Sequence, residues 1–220
     1  GSPDLAALAG TLLRTLAIPF IETRIALFQP DSGAALARVA PAGKVPVLRD
    51  GELSVWESLA ICEYVAERTP GAWPADARLR AQARSIAHEM HAGFAALRSE
   101  LPMNCRARRA GFTPSPAAVR DIARVQAIWQ GCRAQHAASG PWLFGAFSVA
   151  DAMYAPVVSR FATYGIACDG LAAGYAAHVL ASPALREWET AAGQEIEVVA
   201  RVEIGEALPG TGATDSDRPA

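Results

Sequence analysis

Lys44-Val45-Pro46-Val47-Leu48 and Glu57-Ser58, joined across an Asp50-Gly51 turn, place a cation, a carboxylate and a hydroxyl around one short apolar hairpin. Proline lacks an N–H and is poor inside a paired strand, so Pro46 reads as the start of a strand beside an open backbone edge. Such an edge can pair with the backbone of an extended peptide. Glu57-Ser58 then opens a helix, whose first-turn amides favour an anion. Together these residues read as a pocket for a small peptide with a free α-carboxylate and a free α-amine.

Other residues with chemical potential are less constrained. Met103-Asn104-Cys105-Arg106 follows a long helical pattern in a loop able to wall a substrate cleft, with Arg106 holding an anionic group or Cys105 acting as a redox thiol. The simpler reading is a helix C-terminal loop with a buried cysteine. His88 and His91 are three apart on a helix, but the sequence places no third ligand, so no metal site is expected. Cys62, Cys105, Cys132 and Cys168 are widely spaced without a CxxC, which fits reduced thiols of a cytosolic protein better than a disulfide frame. Trp129, Trp188 and Tyr154 are expected in the core. Asp151, three residues after Ser148, is expected in a helix cap.

The elements that must position these groups fall into two textures. Leu5–Leu16 is rich in Ala and Leu and predicts a helix. Ile21, Thr23, Ile25 and Leu27 alternate with Glu22, Arg24, Ala26 and Phe28, a strand pattern. Ala34–Val39 predicts a short helix, Val45–Leu48 and Leu53–Trp56 a hairpin, and the residues after Glu57 a helix ending near Thr69-Pro70-Gly71. Pro70–Asp76 reads as a linker. Beyond it the pattern is helical. Leu79, Ala83, Ile86, Met90, Phe94, Leu97 and Leu101 predict one amphipathic helix over Asp76–Glu100. Ser115-Pro116 predicts the start of a second long helix, and Ser182-Pro183 that of a later one. Glu195–Ile204 fits a helix, and its alternating Ile196, Val198, Ala200 and Val202 also fit a strand. The division expected is residues 1–71, residues 77–204 and a disordered tail over 205–220.

Composition excludes several classes. Apolar residues make up 51% and charged residues 19% of 220, so the chain can bury a full core. The net charge of −2, with Lys and Arg dispersed, gives no nucleic-acid footprint. No apolar run reaches the ~18 residues of a membrane span. Leu5–Leu13 is apolar, but Asp4 precedes it, no basic segment leads it and Arg14 follows, so it reads as a helix and not a leader.

Lys44–Leu48 followed by Trp56-Glu57-Ser58-Leu59-Ala60-Ile61 resembles the glutathione-site motif of the glutathione S-transferase family, in which the proline is cis. Phe144-Gly145-Ala146-Phe147-Ser148-Val149-Ala150-Asp151-Ala152-Met153-Tyr154-Ala155-Pro156 resembles the capping box of a core helix in that family's C-terminal domain. The resemblance runs from about Leu12 to about Gly205. It implies an α/β domain of thioredoxin-like fold followed by an all-α domain. It implies a cytosolic homodimer joined through the helix opened by Ser58 and the one beginning near Arg78. It also implies that glutathione is a co-substrate whose thiolate attacks a small electrophile. By the same resemblance, Val45 pairs its backbone with the cysteinyl part of glutathione and Pro46 shapes that edge. Glu57 takes the γ-glutamyl ammonium, Ser58 the γ-glutamyl carboxylate, and Lys44 the glycyl carboxylate. Met103, Cys105 and Arg106 are the substrate-side candidates.

The chain departs from the family at its start. Family members open with a strand and a loop whose Ser, Tyr or Cys activates the thiol. Here the corresponding residues are Gly1-Ser2-Pro3-Asp4-Leu5-Ala6, with no strand and only the hydroxyl of Ser2. The catalytic residue is therefore unassigned. Three readings stand: an altered or truncated chain, which is favoured; replacement of the strand by Glu195–Ile204; or a glutathione-binding or interaction module without transferase chemistry. A glutathione-dependent reductase ranks lower, because none of the four cysteines lies at the first helix.

Overall fold

The structure, a computed structural model, describes residues 3–27, 29–194, 204 and 206–207. Its order is α1 (Pro3–Thr15), α2 (Ser32–Val39), β1 (Val47–Asp50), β2 (Leu53–Trp56), α3 (Ser58–Ala66), α4 (Ala77–Ala92), α5 (Ala95–Glu100), β3 (Arg109–Ala110), α6 (Pro116–His136), α7 (Val149–Tyr164), α8 (Gly170–Ala181), α9 (Pro183–Gly193) and β4 (Glu206–Ala207). A small thioredoxin-like region that carries a hairpin is followed by an all-helical domain.

The N-terminal region is built around α1 and α3. Leu8, Leu12 and Leu13 of α1 and Leu59, Ile61, Cys62 and Val65 of α3 are buried against one another. Each apolar side chain fully removed from water contributes roughly 1.5–3 kcal/mol. β1 and β2 pair antiparallel, with Val47 opposite Trp56 and Asp50 opposite Leu53. Gly51, at φ +59, supplies the positive φ that the tight turn needs. α1 also packs on α7 and α9, so it lies at the junction with the helical domain.

The strand expected over Ile21–Phe28 is not formed: residues 21–26 have no regular structure, and Phe28 lies outside the described residues. Alternation only stabilises a strand that has a neighbour, since its backbone groups need partners. Among the described residues β1 pairs only with β2. Ile21 accordingly stands 95% exposed, and Glu22 is drawn to Arg14 at 2.8 Å.

The helical domain is centred on α7, which is buried along nearly its whole length and packs against α1, α4 and α8. The single helix expected over Asp76–Glu100 is two helices. Asp76 caps α4 through Arg78 N and Leu79 N, both at 2.9 Å. The chain then breaks at Gly93-Phe94, where Phe94 takes a left-handed φ of +56 yet stays buried. A Cβ at Gly93 would lie 2.7 Å from Glu89 O, so the bend needs glycine there. Ser115 and Pro116 start α6 as expected, with Ser115 Oγ accepting from Ala118 N at 3.2 Å. Trp129 is fully buried at the centre, its ring 5.9, 5.4 and 5.3 Å from those of Tyr154, Phe161 and Tyr175. Trp188 is half-buried at the edge of this core.

The capping box expected at Ser148 and Asp151 is present. The Asp151 carboxylate accepts from Ser148 N and Leu143 N, both at 2.9 Å, and from Ser148 Oγ at 3.2 Å. Burial pushes this carboxyl up to about 6, against the opposing pull of those donors. Val149 N donates to Ala72 O at 2.9 Å and ties the linker to the head of α7. Most of Glu195–Ile204, with its two readings, lies outside the described residues. Within the stretch expected as a tail, Glu206–Ala207 pair with Arg109–Ala110 as β4 and β3.

Candidate functional site

The register of the hairpin decides which candidates meet. Val47 is opposite Trp56, so Pro46 and Glu57, one step further out on each strand, leave the same end of the hairpin. Val45 and Lys44 precede Pro46 there, and Ser58 follows Glu57 as the first residue of α3. The Val45–Pro46 bond is cis. Val45 and Pro46 are half-buried, whereas Lys44 and Glu57 are exposed.

Two local features set this corner apart. Glu57 has φ +66 and ψ 124, a backbone region that non-glycine residues adopt at a cost of about 1–3 kcal/mol. Such strain is held only where the surroundings impose it, here by the turn from β2 into α3. Ser58 has 0% exposure, and its Oγ has no hydrogen-bond partner among the described residues. A buried hydroxyl without a partner forfeits about 1–3 kcal/mol, so this one is a donor in want of an acceptor. The first intrahelical bond of α3 runs from Ile61 N to Glu57 O at 3.0 Å, which leaves the preceding amides at the positive end of the helix. A buried hydroxyl and helix amides beside an exposed carboxylate and an exposed lysine suit a ligand that carries carboxylates and an ammonium.

The substrate-side candidates sit elsewhere, on the segment after α5. Met103 is buried, and Cys105 and Arg106 are half-buried. The carbonyls of this segment are engaged by α7: Arg160 Nε donates to Leu101 O at 2.7 Å, Tyr164 OH to Pro102 O at 3.0 Å and Thr163 Oγ1 to Asn104 O at 2.9 Å. The Cys105 sulfur lies 3.4 Å from Ser159 Oγ, which donates to Glu189 Oε1 at 3.1 Å. Sequence reading did not find Ser159 or Glu189. Ser159 lies 54 residues beyond Cys105 and Glu189 another 30 beyond Ser159, and no local motif marks them.

Of the remaining candidates, His88 Nδ1 lies 2.7 Å from Arg84 O of its own helix. Among the described residues no group of three or more His, Cys, Asp or Glu is placed to hold a metal. The four cysteines are not disulfide-bonded. No described helix is long and apolar enough to cross a membrane.

Comparison with known proteins agrees with this architecture. Residues 9–68 match the family described as glutathione S-transferase, N-terminal domain. Among solved structures, a glutathione transferase homologue from Burkholderia with bound glutathione is 20% identical, with a TM-score of 0.63 over 86% of this chain and 91% of that one. A Tau class glutathione S-transferase from mango, Mangifera indica, is 17% identical, with a TM-score of 0.65 over 87% of this chain and 91% of that one. A family member from Pseudomonas fluorescens with two glutathione bound is 16% identical, with a TM-score of 0.63 over 84% and 88%. A dichloromethane dehalogenase from Methylorubrum extorquens is 59% identical over 32 residues, which are 14% of this chain and 11% of that protein. Residues 9–68 thus resemble the N-terminal domain of glutathione S-transferases, and the chain as a whole has the fold of those proteins.

Proposed function

We propose that the chain binds glutathione at the open end of the β1–β2 hairpin and adds its thiolate to a small apolar electrophile. The observation that carries this reading is Ser58, whose buried hydroxyl at the first position of α3 has no partner among the described residues. In this reading Ser58 Oγ and the α3 amides take the γ-glutamyl carboxylate, and the Glu57 carboxylate takes the γ-glutamyl ammonium. Val45 pairs its backbone with the cysteinyl unit, Pro46 shapes that edge, and Lys44 meets the glycyl carboxylate. The thiolate is the attacking species, because a thiol of pKa ~8.5 is mostly protonated at neutral pH and the anion is the nucleophile. The substrate side is the segment held on α7, with Arg106 toward an anionic group, Cys105 beside it and buried Met103 supporting the wall. Two chains meet through α3 and α4, and the protein acts in the cytosol.

The relatives solved with glutathione support the ligand. The electrophile and the reaction rest on the chemistry of a bound thiolate. A second reading is glutathione binding without transfer. Conjugation of glutathione to chlorodinitrobenzene separates the two. Turnover above the uncatalysed rate supports the transferase. Saturable glutathione binding without turnover supports the binding module.

A further inference from the structure

No further inference is drawn: the strongest candidate, the outer edge of β1, whose only strand partner among the described residues is β2, carries nothing because nothing in the structure shows what covers it.

Discussion

Glu57 and Ser58 are adjacent yet differ in what they cost the fold. Glu57 sits at φ +66, where only glycine is at ease, and its side chain is exposed, so the strain has no visible return in packing. Glu57→Gly is therefore expected to raise unfolding stability by about 1 kcal/mol while weakening glutathione binding at least tenfold. Urea denaturation and calorimetric titration of the same sample check both halves. Asp151 has the opposite character: it serves the fold alone. Its folded carboxyl is pushed up to about 6 from an ordinary 3.8, so between those values the folded chain holds a proton that the unfolded chain has lost. Its contribution to stability is present at about pH 4 and is lost as pH rises through about 6. Asp151→Asn lacks this component. The stability difference, wild type minus variant, should shrink by roughly 2 to 3 kcal/mol between pH 4 and pH 7, read from urea midpoints at each pH. Both residues were legible in the sequence as types at a spacing. Neither the backbone strain of one nor the burial of the other was, since both arise from what packs around them.

At the scale of elements, what the sequence showed depended on whether the cause was local. Caps, turns and apolar periodicity are local: Ser115-Pro116, Ser148 with Asp151, and Asp50-Gly51 begin or turn their elements where the residue types predict. The break between α4 and α5 is not written in the periodicity, because Phe94 keeps its place on the apolar face while its backbone turns left-handed. The alternation over residues 21–28 predicted a strand because pattern reports a preference and not a partner. The loop before α7 gives a sharp test of local geometry. Gly145 has φ +91, and a Cβ there would lie 2.7 Å from Ser139 Cβ and 2.9 Å from Ser139 O. Gly145→Ala should cost about 2–3 kcal/mol, from positive φ and collision together, and lower the urea midpoint accordingly. Arg160 tests how the segment after α5 is held. It is 2% exposed and donates to Leu101 O at 2.7 Å, so Arg160→Ala should destabilise by about 2–3 kcal/mol. Hydrogen exchange should then quicken over residues 101–106 more than over β1 and β2.

For the molecule as a whole, α1 joins the two parts. It packs on α3 within the N-terminal region and on α7 and α9 beyond it, while Arg14 reaches Glu187 of α9 and Val149 N reaches Ala72 O. With that shared surface the chain is expected to unfold in one transition, followed alike by far-ultraviolet circular dichroism and tryptophan fluorescence. Two resolved transitions would mean that α1 does not couple the parts. The overall arrangement was legible from two motifs, one per part, about a hundred residues apart. The contacts between the parts were not, because they depend on helix faces meeting across long separations.

If the hairpin end and the head of α3 hold glutathione, calorimetric titration of the purified chain with glutathione, beside Ser58→Ala, will show it. Expected is saturable binding by the wild type and a loss of about 10- to 100-fold in the variant, the worth of a hydrogen bond to a charged group. A folded wild-type chain that does not bind, or a variant that binds equally well, would contradict it.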